Sequence, residues 1–338
     1  MPETEVPAGY NSELFVTPQE ANEWVLSRLN GWQAKDHRTP AGNGGQNLIL
    51  SGERGVGKTW FLRSLSQGDS NLSRHVVYLD LEERANYPTA EAYVKAMKQR
   101  VRTRLDNSGS LLLLDSVPPH LDERLRALEA ELLWSLVARR HTPVIMALIH
   151  PSQVCWRVPA LRAGEICPLV PFEPAQTSEQ LRRLEQAGLI REGMDRDTIQ
   201  EHSDGHPLLN YLLATREEAE AYESLLEYWF SRVPDAERAQ VRSYLDAVCT
   251  LDVLEHASIR KALEIFCSHR PGAVGCPAHP IGVSNLLRKH WLCQPLPDAP
   301  GRLVLVASVR RAARELLKAK DAELYAKLEE LTRPKKEA

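Results

Sequence analysis

The residues with the clearest chemical character form a glycine-rich turn between an apolar run and a helix-like segment. The turn consists of Gly52, Glu53, Arg54, Gly55, Val56, Gly57, Lys58 and Thr59, and Trp60 follows it. Glycine lets the backbone reach positive φ and leaves no side chain between the backbone and a phosphate, while N–H groups at a helix start face the anion. At this spacing a lysine reaches the β- and γ-phosphates, and a threonine hydroxyl can ligate Mg²⁺. The pattern predicts a loop that binds ATP or ADP with Mg²⁺; the alternative is a glycine-rich turn that matches by chance.

An acidic residue at the end of another apolar run extends this prediction. The run Ser110–Asp115 is apolar up to its last residue, as expected of a strand with both faces covered. The carboxyl ends of parallel strands meet at one edge of a sheet, so Asp115 is expected beside Thr59. These two residues would support the Mg²⁺ ion; the alternative for Asp115 is simply the first residue of a loop.

The elements that must position these residues alternate between strands and helices. Apolar runs predict five strands, at 47–51, 75–80, 110–115, 143–149 and 165–169. Segments with helical periodicity separate most of them. This alternation is typical of an α/β fold with a parallel sheet, covered faces and a ligand site at the carboxyl ends of the strands.

The same patterns divide the chain into four segments. We predict an N-terminal lead and helix at 1–46, a P-loop NTPase core at 47–172, an all-α segment at 173–233, and a winged helix with a C-terminal helix at 234–338. The winged helix is predicted because three helical patterns precede a hairpin signal around Pro297 and a further helix.

Three helix boundaries follow from capping and breaker residues. Thr177 is a candidate helix start. Pro207, suited to a first helical turn, is predicted to open one long helix that reaches about Arg232. The final helix is predicted to run from Val309 to about Leu331.

Composition restricts the classes of partner. The chain has 338 residues, of which 43% are hydrophobic and 26% charged, a balance typical of globular proteins. Its net charge of −3 limits any nucleic-acid site to a local patch. No apolar run approaches the ~20 residues that span a bilayer, and the acidic start Met1–Glu5 does not resemble a signal peptide. We therefore expect a cytoplasmic protein with no membrane partner.

The six cysteines are scattered without a Cys-x-x-Cys pair, which favours free thiols in a reducing compartment. Some of them lie in a group with the residue types of a zinc site. This group comprises Cys267, His269, Cys276, His279, His290 and Cys293. Its spacing fits no compact zinc knuckle, so thiols without a metal are the preferred interpretation.

Four stretches resemble the STAND-type NTPases, which are signal-transduction ATPases related to the AAA+ Orc/Cdc6 group. They are the phosphate loop, the strand that ends at Asp115, Cys155–Arg162 with Leu169–Phe172, and Ser203–Leu209. The likeness extends over about residues 14 to 320. It implies an ATP-dependent switch in which the segment 173–233 forms a lid over the nucleotide and the winged helix packs on the nucleotide domain.

The resemblance also implies roles around the phosphates. His150 stands where related enzymes carry a polar residue that senses the γ-phosphate, and a surface histidine is the alternative. Arg162, and less favourably Arg157, stands where relatives carry an arginine that stabilises transition-state charge across a subunit interface. That role implies a homo-oligomer; a solvated loop arginine is the alternative in each case.

Two further positions would contact the adenine if the resemblance holds. Pro207, in Gly205-His206-Pro207, stands where the family packs a proline near the base, and the less favoured alternative is a simple helix start. Phe15 and Val16 could supply the other wall. The arginine that the family often carries nearby is replaced here by Thr17-Pro18.

The residue after Asp115 departs from the family pattern. Relatives usually place an acid there to orient or deprotonate the attacking water, but this chain has Ser116. A hydroxyl is a poor base at neutral pH, and general base catalysis contributes about 10²–10⁴-fold. We therefore predict slow or absent hydrolysis with nucleotide binding intact. The acids that could substitute are one from a neighbouring subunit, or Asp80, Glu82, Glu83, Asp122 and Glu123.

The preferred interpretation is an ATP-binding switch that changes conformation or assembles with nucleotide and signals to partner proteins. The alternative is an Orc/Cdc6- or transposition-regulator-like ATPase acting on DNA. Its candidate DNA contacts are Asn285, Arg288, Lys289, Arg302, Arg310, Arg311, Arg314, Lys318 and Lys320. A phosphotransferase that uses the same loop is least favoured because no acceptor site is recognisable.

Overall fold

The computed structural model describes residues 11–34, 47–67, 76–104, 111–118, 120–139, 142–150, 156–193, 195–296 and 299–332. Several features of the sequence lie outside this part of the chain. They are most of the N-terminal lead, the stretch 36–45, whose polar, glycine-rich residues predict an exposed loop, the strand ends at His75 and Ser110, Cys155, the tip of the hairpin at 297–298 and the charged residues at 333–337. The chain divides into two compact units, Glu5–Arg183 and Leu184–Ala338. No helix in the described ranges combines the length and apolarity needed to cross a membrane.

The unit Glu5–Arg183 is built on a five-stranded sheet. Its strands are β1 (Asn47–Ser51), β2 (Val76–Asp80), β3 (Leu111–Asp115), β4 (Val144–Leu148) and β5 (Glu165–Pro168). Their order in the sheet is β2-β3-β4-β1-β5, and every neighbouring pair is parallel. The predicted α/β fold with a parallel sheet is confirmed.

The helices of this unit cover both faces of the sheet. They are α1 (Gln19–Ala34), α2 (Lys58–Gln67), α3 (Ala90–Arg104), α4 (Glu123–Leu128) and α5 (Pro159–Arg162). A further helix, α6 (Pro174–Gln186), follows β5 in the chain. Successive residues of a strand point to opposite faces. Leu112 and Leu114 accordingly join one core cluster with Met97 of α3, while Leu111 and Leu113 join another, which includes Leu62 of α2. This double burial explains why the strands are apolar throughout.

One helix of this unit begins earlier than predicted, and another contains π-helical turns. The helix expected to begin at Thr177 begins at Pro174, because proline suits a first helical turn; Thr177 is buried inside the helix. The helical segment after β3 starts at Glu123 as α4 and continues through two π-helical turns, Glu129–Leu133 and Ser135–Arg139.

The unit that includes Leu184–Ala338 is mostly helical. Its elements are α7 (Arg196–Ser203), α8 (Pro207–Thr215), α9 (Glu218–Phe230), α10 (Asp235–Val248), α11 (His256–His269), α12 (Pro280–Lys289), β6 (Cys293–Leu296), β7 (Ala299–Leu305), α13 (Ala307–Lys320) and α14 (Ala322–Glu330). Strands β6 and β7 pair antiparallel. The run of α10, α11, α12, hairpin and α13 has the element order on which the winged-helix prediction was based.

The prediction of one helix from Pro207 to about Arg232 is wrong. The backbone of Arg216 is extended, with φ −136° and ψ 163°, and α9 begins only at Glu218. The Arg216 guanidinium donates to the Ser224 hydroxyl at 2.6 Å. Acidic residues at the start of α9 favour a new helix N-terminus there.

The prediction of a single final helix is also wrong, because the helix is divided at Asp321. The backbone there has φ −156° and ψ 72°. The Asp321 carboxylate accepts a hydrogen bond from the N–H of Leu324 at 3.1 Å, which caps α14. It also pairs with Arg270 at 2.9 Å, so a contact distant in sequence favours the break.

The expectation that all cysteines are free thiols is wrong for two of them. Cys267, near the end of α11, forms a disulfide with Cys276, and their Cα atoms are 5.7 Å apart, within the usual bonding range. Cys167, Cys249 and Cys293 are free and buried. Within the described ranges, no group of three or more histidine, cysteine or acidic side chains is placed to hold a metal ion.

Candidate nucleotide-binding site

The glycine-rich loop connects the carboxyl end of β1 to the start of α2. Gly55 and Gly57 have φ values of 85° and 100°, a left-handed region that glycine tolerates best. A Cβ added to Gly57 would meet no atom within 4 Å, whereas one added to Gly52 would lie 2.4 Å from the carbonyl oxygen of Leu169. The loop therefore has one glycine packed against backbone and another beside open space.

We expect Gly52→Ala to lower the free energy of unfolding by about 2 kcal/mol, because an overpacked site forces the backbone to move. The obstructing carbonyl cannot move away freely, since the Leu169 N–H donates to the carbonyl oxygen of Ser51 at 2.7 Å. Gly57→Ala is the matched control, and it should cost only about 1 kcal/mol from its positive φ. Urea unfolding of both variants measures the difference, and equal losses would contradict the steric explanation.

The ammonium group of Lys58 lies over the loop. Its Nζ donates to the carbonyl oxygens of Gly52 and Glu53, at 2.7 and 2.6 Å. Arg54 and Val56 are buried, so they stabilise the loop from the protein side. A lysine ammonium beside a glycine-rich loop at a helix start is an arrangement suited to a phosphate chain.

Asp115 is buried at the end of β3, where several donors surround its carboxylate. The Tyr78 hydroxyl donates to Oδ2 at 2.7 Å, and the Ser116 N–H donates to Oδ1 at 2.8 Å. The Thr59 hydroxyl also hydrogen-bonds this carboxylate, so the predicted pair of Mg²⁺ ligands is brought together. Burial raises the pKa of Asp115, as does the charge of Asp80, while the three hydrogen bonds oppose the rise.

Ser116 follows with φ 56°, an unusual backbone conformation for a residue other than glycine. Among the acids that could replace it as a base, Asp122 caps α4 through the Leu125 N–H at 3.0 Å and pairs with Arg84 at 2.6 Å. Partial burial opposes the effect, but these contacts hold the pKa of Asp122 below its usual value. A carboxylate held in this way is a weak base.

Two other candidate bases have structural contacts, and one is exposed. Glu83 pairs with Arg100 at 2.9 Å. Asp80 accepts a hydrogen bond from the Glu82 N–H at 3.0 Å and caps the 3₁₀ turn that follows β2. Glu123 is exposed in the first turn of α4.

His150 lies two residues beyond β4, at the same edge of the sheet as the loop. The carbonyl oxygen of Ile149 accepts a hydrogen bond from the Gly52 N–H at 3.3 Å, so His150 directly follows a residue in contact with the loop. Burial lowers the pKa of His150, which favours the neutral imidazole. A neutral imidazole can still donate one hydrogen bond to a phosphate oxygen.

The two candidate arginines are both exposed. Arg162 ends α5 and donates to the carbonyl oxygen of Arg157 at 3.1 Å. The segment that carries them is anchored at both ends. The buried carboxylate of Glu129 accepts a hydrogen bond from the Val158 N–H at 2.8 Å, and the Asn47 amide donates to the carbonyl oxygens of Ala160 and Ala163. The backbone that carries the two arginines is therefore held in place by hydrogen bonds.

The predicted adenine contacts fall in different places. Phe15 and Val16 are buried, and the Phe15 ring packs on Trp60 with centroids 6.2 Å apart. Arg183 donates to the carbonyl oxygen of Phe15. Pro207 lies in the other compact unit, where it is buried at the first turn of α8.

Several residues that contact the site were missed from the sequence. Tyr78 and Arg63 join Asp115, while Asn47 and Glu129 hold the arginine segment. One signal was available for Tyr78: it lies two residues before Asp80, so both side chains share a face of a strand. The others are revealed only by contacts between segments distant in sequence.

Comparisons with known proteins give structural likeness without a family. No protein-family model and no curated protein sequence matches the chain. Similar solved structures include the RuvB Holliday junction branch migration motor of Thermotoga maritima, with 13% sequence identity, a TM-score of 0.43 and coverage of 88% of this chain and 95% of that chain.

Two others are similar to about the same degree. Domain III of the Thermotoga maritima replication initiation protein DnaA has 20% identity, a TM-score of 0.41 and coverage of 65% of this chain and 96% of that chain. Cdc6p from Pyrobaculum aerophilum has 15% identity, a TM-score of 0.39 and coverage of 93% and 97%. These values establish neither a family nor an activity, so the residues of the site must carry any function.

Proposed function

We propose that this chain is an ATP-binding, STAND-type molecular switch that hydrolyses ATP slowly or not at all. In this proposal, nucleotide changes its conformation or assembly, and the change is signalled to partner proteins. The observation that carries the proposal is the hydrogen-bonded pair of Thr59 and Asp115 beside Lys58, with Ser116 as the next residue.

The residues of the loop fit a nucleotide with Mg²⁺. The positive φ of Gly55 and Gly57 and the open space beside Gly57 leave room for phosphates at the start of α2. Thr59 and Asp115 present hard oxygen ligands, which Mg²⁺ prefers, and Lys58 presents a cation. Bound Mg²⁺ would neutralise charge on the β- and γ-phosphate oxygens.

Among the described residues, the site lacks an evident general base to activate water. Ser116 has no basic group at neutral pH, and Asp122 and Glu83 are in ion pairs. An ordinary turnover number is about 10 s⁻¹, and losing a general base costs about 10²–10⁴-fold. We therefore expect turnover below about 0.1 s⁻¹, which suits a switch that holds its nucleotide.

The exposed arginines support assembly as part of the proposal. Arg162 and Arg157 are anchored through Val158 and Ala163 but extend into solvent. A second copy of the chain could present its phosphates to them, since a guanidinium keeps its charge and matches phosphate geometry. Signalling to other proteins would then follow from nucleotide-dependent assembly.

The experiment combines nucleotide retention, turnover and mass. Purified protein with ATP, with ADP and without nucleotide should be examined by light scattering, while bound nucleotide is released and quantified. We expect retained nucleotide, slow turnover, and a mass or hydrodynamic radius that differs between ATP and ADP. An unchanging monomer would reject the switch, and absence of bound nucleotide would reject the whole proposal.

The DNA-acting alternative has weaker support from the charges. Arg288 is exposed on α12, as a DNA contact requires. The neighbouring Lys289 is paired with Glu237 at 2.7 Å, and Arg302 is paired with Glu255 at 3.1 Å. Such pairs reduce the positive potential available to phosphates. Salt-sensitive binding to duplex DNA would favour this alternative over the switch.

A further inference from the structure

The Asp115 carboxylate has a hydrogen-bond donor from the adjacent strand. In the register of β2 and β3, Asp80 is opposite Asp115, and Tyr78 is opposite Leu113. Tyr78 shares a strand face with Asp80 because the two are two residues apart. From this position, its hydroxyl reaches Oδ2 of Asp115 at 2.7 Å.

The donor is itself held by the helix that follows the phosphate loop. Arg63, on α2, points its Nε–H toward the Tyr78 oxygen at 3.4 Å, and its guanidinium lies 5.7 Å from the centre of the tyrosine ring. The same helix carries Thr59, which hydrogen-bonds Asp115. Two residues of α2 therefore contact this group, Arg63 through Tyr78 and Thr59 through Asp115 itself.

These contacts offset the electrostatic repulsion between two carboxylates at the edge of the sheet. Asp80 and Asp115 end adjacent strands in register, so their charges repel, and burial further disfavours the ionised form of Asp115. Burial, and then the charge of Asp115, raise the pKa of Tyr78, so its hydroxyl keeps its proton and donates it to Asp115 while its oxygen accepts from Arg63. The Arg63 cation lies close enough to interact with both carboxylates.

We propose that Tyr78 and Arg63 are positioning residues that orient the Asp115 carboxylate toward Thr59 and so toward the Mg²⁺ of bound nucleotide. The inference rests on the proposed nucleotide binding. Donors behind a metal-binding carboxylate restrict its rotation, and their loss typically reduces metal affinity by about 10–100-fold. Neither residue is required to touch the nucleotide.

The test measures how strongly Mg²⁺ improves nucleotide affinity. ATP is titrated calorimetrically into the full chain, in Mg²⁺ and in EDTA. The dissociation constant in EDTA is divided by the dissociation constant in Mg²⁺, and this ratio is compared between variants. Tyr78→Phe removes the hydroxyl and keeps the ring; the ratio should fall by about tenfold, with the affinity in EDTA unchanged. Arg63→Gln should reduce the ratio in the same direction but less.

Tyr93→Phe is the matched control. The Tyr93 hydroxyl is also buried, but it has no hydrogen-bond partner in the described part of the chain, so the ratio should not change. If Tyr78→Phe and Arg63→Gln both keep the wild-type ratio, or raise it, the positioning role is overturned while nucleotide binding stands. If the wild-type protein shows no Mg²⁺-dependent binding, the inference and the proposed function both fall. Thermal unfolding confirms that each variant is folded. If Tyr78→Phe does not fold, the ratio measured for Arg63→Gln decides whether the positioning role holds.

Discussion

Lys58→Ala should lower the affinity for ATP and ADP by at least about 100-fold, equivalent to about 2.7 kcal/mol. The lysine ammonium lies 2.7 Å from the carbonyl oxygen of Gly52 and 2.6 Å from that of Glu53, over the loop expected to hold the phosphates. Removing this charge leaves the phosphates with backbone N–H groups and the Mg²⁺ ion, without the cation that the loop itself supplies. Isothermal titration calorimetry in the presence of Mg²⁺ measures the loss directly.

Lys98→Ala is the control for this prediction. It also removes a lysine from the unit Glu5–Arg183, but Lys98 is on α3 and pairs with Glu131 at 2.7 Å, where both side chains are solvent-accessible. Surface pairs of this kind contribute only about 0–1 kcal/mol to stability, and no phosphate is expected nearby. Nucleotide affinity should therefore stay at the wild-type value. If Lys58→Ala also kept that value, the loop would not be the nucleotide site.

Ser116→Asp should increase ATP turnover by about 10²-fold or more, because it supplies a carboxylate where a general base is missing. Aspartate is well suited to this position, since it is enriched among residues with positive φ and Ser116 has φ 56°. The new carboxylate also lies near Asp115 and Asp80, so the Mg²⁺ concentration must be saturating. Phosphate release during steady-state turnover gives the rate.

Ser116→Asn separates the chemistry of this substitution from its shape. Asparagine tolerates the same backbone conformation as aspartate and has nearly the same size as aspartate, but its amide cannot accept a proton from water. It should leave turnover at the wild-type level. Fast turnover in the wild-type protein, unaffected by Ser116→Asn, would instead show that another acid, such as Glu123, serves as the base.

The sheet could be predicted because its strands are covered on both faces. Burial on both sides requires an uninterrupted apolar run such as Leu111–Leu114, which needs no knowledge of its neighbours to be recognised. Helix ends were less predictable. The acidic residues that follow Arg216 suit a helix interior as well as a helix start, and the extended backbone of Arg216 coincides with a side-chain contact to Ser224. The break at Asp321 coincides with a contact to Arg270, 51 residues away.

The candidate site divides in a similar way. The loop was predicted because a phosphate-binding turn needs glycines and polar groups at fixed local spacing. The contact between Thr59 and Asp115 was predicted because the carboxyl ends of parallel strands meet at one edge of a sheet. The disulfide between Cys267 and Cys276 was missed, since their spacing matches no motif and only the path of the chain brings them together. The anchoring of the arginine segment by Glu129 likewise depends on packing between distant segments.

The sequence by itself determined the glycine-rich turn, Lys58, Thr59, the apolar strands and the serine after Asp115. Each of these depends on residues adjacent in the chain, where local backbone geometry limits the possibilities. Only the tertiary structure decided what stands behind Asp115. The contact from Tyr78 depends on the register of β2 against β3, and the contact from Arg63 depends on how α2 packs against the sheet. Registers and packing arise from burial summed over many distant residues, so no local pattern encodes them.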